Sequence, residues 1–131
     1  MELEYLEDPG SATPRVLLTY GQVEAGAALL QAAIRPLAAG DKDYRVEIES
    51  LPGFHGIDGC SLVCTVGDPS LGVPPIDGAK TAFHCVLTDS DWSQVCGLLE
   101  PFAASAPRGA IHQYLTTDGP IDWIISTSRA W

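Results

Sequence analysis

Two six-residue stretches, Ile34-Arg35-Pro36-Leu37-Ala38-Ala39 and Leu99-Glu100-Pro101-Phe102-Ala103-Ala104, share the form apolar-charged-Pro-apolar-Ala-Ala and stand 65 residues apart, almost half the chain. Each closes a helical stripe. In the first, Val23, Ala27, Leu30, Ile34 and Leu37 recur at intervals of three or four, which predicts a helix over 22–37 with Pro36 near its end and Gly40 closing it. In the second, Trp92, Val95, Cys96, Leu99 and Phe102 form the stripe, and Thr88 starts it with an N-cap hydroxyl and an acid, Asp91, three residues on. One strand-like run precedes each helix, at 15–20 and 81–87. Two follow each, at 44–50 and 60–66, then at 110–115 and 121–126. The repeating unit is strand-helix-strand-strand, with half-repeats 15–66 and 81–127 joined by a Pro- and Gly-rich surface loop, 67–79, inside one domain, 1–131.

That order predicts an α+β domain: a mostly antiparallel sheet of about six strands with two helices on one face. Within 44–50 the alternation puts Tyr44, Val46 and Ile48 on the core side and Arg45, Glu47 and Glu49 in water. Thr117-Asp118-Gly119-Pro120 is a tight turn and makes a hairpin of the last two strands. Phe83, Cys85 and Leu87 share one side of their strand and Ala82, His84 and Val86 the other; Ala110, His112 and Tyr114 likewise oppose Ile111, Gln113 and Leu115. With the helices over the Phe83 and Ile111 sides, the open face carries Glu47, Glu49, His84, His112, Tyr114 and Asp122.

Composition narrows the function classes. With 131 residues, 46% of them hydrophobic and 18% charged, the chain has enough apolar material for one core, which excludes disorder over most of its length. No apolar run approaches the roughly 20 residues that cross a bilayer. The opening Met1-Glu2-Leu3-Glu4-Tyr5-Leu6-Glu7-Asp8 is the opposite of a basic leader, so a cytoplasmic protein is expected. Seven Lys and Arg against 17 Asp and Glu leave a net charge of -10. Such a chain is repelled by nucleic acid and by anionic lipid, and a basic protein is the partner its field favours.

The residues that could carry chemistry have plainer roles. Cys60, Cys64, Cys85 and Cys96 form no Cys-x2-Cys knuckle, and Cys60 and Cys64 stand about 13 Å apart along a strand, too far for one tetrahedral metal. Core thiols are expected, with no metal and no cofactor. Cys85 and His84 are adjacent on a strand and face opposite ways, so they make no dyad, and no nucleophile elbow, phosphate loop or metalloprotease helix is present. No catalytic residue is assigned. His55 and Asp58 lie in the glycine-rich 53–59 turn as solvated side chains. His84 and His112 are cross-strand neighbours, Trp92 and Trp123 are core residues, and the terminal Trp131 is either a docked tail or an exposed anchor.

The capped helix Leu87-Thr88-Asp89-Ser90-Asp91-Trp92-Ser93-Gln94-Val95-Cys96-Gly97-Leu98-Leu99-Glu100-Pro101-Phe102, with the hairpin ending in Ile121-Asp122-Trp123-Ile124-Ile125-Ser126, resembles small bacterial immunity proteins of polymorphic and contact-dependent toxin systems. The resemblance spans about the last 45 residues. It implies a non-enzymatic antidote that binds a cognate toxin and blocks its active site. Acidity suits a toxin with a basic cleft, because carboxylates can take the positions of substrate phosphates. The partner-binding residues expected on this view are Glu47, Glu49, Asp68, Asp77, His84, His112, Tyr114 and Asp122. Two alternatives stay open: a small enzyme or ligand-binding domain with a pocket near His84, His112 and Tyr114, and a homodimer formed through the open sheet face.

Overall fold

A computed structural model describes residues 1–8, 10, 15–74, 81–105 and 109–130. The two stripes are helices of 16 residues each, α1 (Val23–Ala38) and α2 (Asp89–Ala104). Both run through their proline. The carbonyls that Pro36 and Pro101 cannot bond belong to Ala32 and Gly97, which are exposed and open to water. α1 ends in a Schellman turn, in which Gly40 takes φ +83° and the N–H groups of Gly40 and Asp41 donate to the carbonyls of Leu37 and Pro36. α2 starts as its sequence predicts: the Asp91 N–H donates to the Thr88 hydroxyl at 3.2 Å.

Four buried residues of each helix correspond at the same offset as the proline motif. Ala27, Leu30, Ile34 and Leu37 of α1 match Trp92, Val95, Leu99 and Phe102 of α2, all buried. Gln31 of α1 reaches its own counterpart, donating from Nε2 to the Cys96 carbonyl at 2.9 Å.

Eight strands form two mixed sheets, in place of one mostly antiparallel sheet of six. They are β1 (Glu2–Glu7), β2 (Arg15–Tyr20), β3 (Val46–Glu47), β4 (His55–Gly56), β5 (Ser61–Val66), β6 (Ala82–Leu87), β7 (His112–Thr116) and β8 (Asp122–Ser126). The larger sheet has the order β4-β1-β2-β8-β7 and the smaller β3-β5-β6. The first strand of each half pairs, in parallel, with the last strand of the other half: β2 with β8 (Val16 opposite Asp122, Leu18 opposite Ile124) and β6 with β5 (Cys64 opposite Cys85). The halves therefore exchange strands, which separates the expected single sheet into two.

Three further expectations are corrected. The 44–50 run holds only the two ladder residues of β3 and then winds into a short 3-10 turn, Ile48–Ser50, because Glu49 Oε1 takes the Leu62 N–H (2.9 Å) that a longer strand would have bonded. The 67–79 loop is not all surface. Val73 is fully buried and bridges to Ile121, while Gly72 exchanges hydrogen bonds with Val86 and so covers the free edge of β6. Gly72 (φ +68°) also lies so close to Gly119 that a Cβ would stand 2.2 Å from the Gly119 nitrogen, which ties the loop to the β7–β8 turn. Finally, the strand β1 is an addition to the expected set; Leu3 and Tyr5 face inward along it, alternating with Glu2 and Glu4.

Inward residues of both sheets and of both helices share one core. Tyr5 of the larger sheet meets Phe83 of the smaller with ring centroids 4.9 Å apart, and Trp92 meets Trp123 edge-on at 6.4 Å. Each indole N–H is satisfied, Trp92 by the Thr65 carbonyl and Trp123 by the Thr19 hydroxyl.

Candidate functional site

Register places the outward side chains of the larger sheet in rows. Directly opposed residues share a face, so one row reads His55, Glu2, Tyr20, Ser126, His112; the next Glu4, Leu18, Ile124, Tyr114; and the third Leu6, Val16, Asp122. The centre is apolar. Val16, Leu18 and Ile124 are buried under Leu6, Tyr20 and Tyr114, a second small cluster on the side of the sheet away from the main core. The rim is polar and aromatic. Tyr20 donates to Glu4 at 3.0 Å, and Arg129 grips both oxygens of Glu4 at 2.9 and 3.1 Å. Arg129 holds the Glu4 carboxyl below its ordinary range, and burial with Glu4 at its side lifts the Tyr20 hydroxyl above its own. His112 and Tyr114 stack edge-on at 5.9 Å, and the Gln113 amide donates to the Tyr114 carbonyl.

His112, Tyr114 and Asp122 are therefore brought together as expected, but His84, Glu47 and Glu49 are not. His84 stands on the outward face of the smaller sheet beside Val63, and shares a hydrogen bond of 2.7 Å with Thr65. Burial, and then the nearby Arg45, holds its imidazole below the ordinary value. Glu47 is exposed at that sheet's margin and pairs with Arg45 at 3.2 Å, while Glu49 serves the backbone of Leu62. The six acids, histidines and tyrosine expected on one open face thus divide between two sheets, and His84, His112 and Tyr114 share no common face. Asp68 is exposed and borders a cavity of about 210 Å³ with Lys42, Thr88 and Asp89. Asp77 and Trp131 lie outside the described residues.

Sequence patterning missed Glu4, Tyr20 and Arg129. The alternation of Leu3 and Tyr5 with Glu2 and Glu4 was a usable strand signal; nothing near Arg129 in sequence points to Glu4, 125 residues away.

The thiols belong to the interior. Cys60, Cys64 and Cys85 are buried, Cys96 is half-buried, and all four are unbonded. Burial pushes Cys60 up to about 12 and Cys64, facing Cys85, well above the ordinary thiol range, the reverse of an activated nucleophile. Among the described residues no group of three or more His, Cys, Asp or Glu is arranged to hold a metal. A cavity of about 610 Å³ lies elsewhere, between the start of α1 and the end of α2, walled by Val23, Ala25, Ala28 and Ala103.

No protein-family model, curated protein or solved structure matches this chain. Its fold is α+β. No helix among the described residues is long and apolar enough to cross a membrane.

Proposed function

We propose that this chain is a cytoplasmic, non-enzymatic immunity protein that neutralises a cognate bacterial toxin by binding it and blocking its active site. The acidic excess favours that role: 17 carboxylates face 7 bases, so the surface field draws in a basic partner. The outer face of the larger sheet suits a docking surface, because Tyr20, Tyr114, His112 and Arg129 lie on or beside it over a packed apolar layer, and Tyr and Arg are residue types that dominate binding energy at protein interfaces. The capped α2 and the β7–β8 hairpin are the elements on which the likeness to immunity proteins rests.

Growth protection tests the role. The chain is co-expressed with its cognate toxin domain, and the purified pair is titrated calorimetrically at rising salt. The expected result is rescue of growth and a one-to-one complex that weakens as salt screens the charges. Continued killing, with no complex at low salt, would overturn it.

A further inference from the structure

Five carboxylates among the described residues are half-buried: Glu2, Glu4, Glu49, Asp91 and Asp122. Four have partners. Glu2 meets His55 at 3.1 Å, Glu4 is held by Arg129 and Tyr20, Glu49 accepts the Leu62 N–H, and Asp91 accepts from the Ser70 hydroxyl. Asp122 has no hydrogen bond or ion pair with any described residue, although Val16 stands directly opposite it, Ile124 two residues along its strand and Tyr114 diagonally across on β7.

A carboxylate that has lost part of its water to aliphatic neighbours and gained no partner is in an unfavourable setting, and burial raises its pKa accordingly. A cation brought by a second protein would supply the missing partner, and the water excluded on docking would strengthen the attraction. Guanidinium suits the place better than ammonium: it is planar, weakly hydrated, bonds a carboxylate through two parallel N–H groups and stacks on an aromatic ring such as Tyr114.

We propose that Asp122 is the docking point for an arginine side chain of a basic protein partner, received at the carboxylate with Tyr114 at its flank. The proposal rests on the partner-binding role above, but it can be tested without the toxin. The ¹⁵N-labelled protein is titrated with N-acetyl-arginine amide, with N-acetyl-lysine amide and with the neutral isostere N-acetyl-citrulline amide, and the backbone shifts are followed in the wild type and in Asp122→Asn. Shifts clustered at Val16, Tyr114 and 122–124, largest with arginine, absent with citrulline and lost in Asp122→Asn, are the expected result; the variant's unperturbed spectrum elsewhere certifies its fold. Shifts that survive in Asp122→Asn, that gather instead at Asp41, Asp43, Asp68 and Asp89, or that lysine produces as strongly, would overturn it. Self-association through the same face, seen as concentration-dependent shifts at those residues without any amide, would overturn it too. Where the toxin complex forms, Asp122→Asn should weaken it about tenfold or more, as for a partly desolvated charge pair. Absence of any complex defeats the immunity role alone, and the amide titration then decides the arginine site separately.

Discussion

Both halves of the chain run strand, helix and then strands, the first with the extra short strand β4, and they differ in what fills equivalent places. At equivalent helix positions the first half supplies Ala27 where the second supplies Trp92, both fully buried. At the helix starts, Gln22 gives α1 no side-chain cap, whereas Thr88 caps α2 and is itself fastened by Ser70, whose oxygen accepts the Thr88 N–H at 2.9 Å. On the outward side of the last strand, Ser61 of β5 lies opposite Ala82, and Asp122 of β8 opposite Val16. Equivalent backbone positions thus carry a bulky anchor, a firm cap and an unpaired charge in the second half, and small or neutral groups in the first. The bulkier core residue and the firmer helix start thus both fall in the second half.

The largest effect should come from breaking the size difference between these equivalent positions. Trp92→Ala removes a buried indole, its contact with Trp123 and its hydrogen bond to Thr65, and should cost about 3–5 kcal/mol in urea unfolding. The opposite change, Ala27→Leu, should overfill the core at the equivalent place in α1 and cost about 1–3 kcal/mol. Equal, small losses at both sites would mean that the halves pack independently.

Caps come next. Thr88→Ala should destabilise by about 1 kcal/mol, and Gln22→Asp should stabilise by about 0.5 kcal/mol by adding to α1 what α2 already has. Both are read from chemical-denaturation midpoints. A loss at Gln22→Asp as large as that at Thr88→Ala would contradict the difference drawn between the two helix starts.

The smallest effect concerns charge. Because the folded state raises the Asp122 pKa, its ionised form costs stability above that pKa, and the cost disappears once acid has protonated the group in both states. Asp122→Asn should therefore stabilise slightly at neutral pH, within about 0.5 kcal/mol, and the gain should fade as pH drops toward the ordinary aspartate value. Thermal melts across that range measure it. A variant less stable than the wild type at neutral pH would point to a partner for the carboxylate, and so against an open arginine site.

Local features were legible where a residue's own neighbours set its conformation. Thr88 with Asp91, Gly40 after the first helix, and the inward Phe83, Cys85 and Leu87 all follow from spacing and short-range chemistry. The strand at 2–7 was hidden by its acids, since Glu4 sits on the outward side and is neutralised by an arginine from the far end of the chain. The 44–50 alternation misled because a side chain, Glu49, does the work of a strand backbone. Of the candidate site, the sequence pointed to His112, Tyr114 and Asp122 as outward residues, and it grouped them wrongly with His84, Glu47 and Glu49.

From the sequence alone came the two helices, their ends, the outward or inward side of most strand residues and the acidic surface, because periodicity, capping and charge are local properties. Only the tertiary structure decided which strands pair, that β2 joins β8 and β5 joins β6 across the halves, and hence which outward residues share a face. Strand pairing joins segments distant in sequence. Each strand's alternation says which side chains point out, and only the contacts between strands say beside whom.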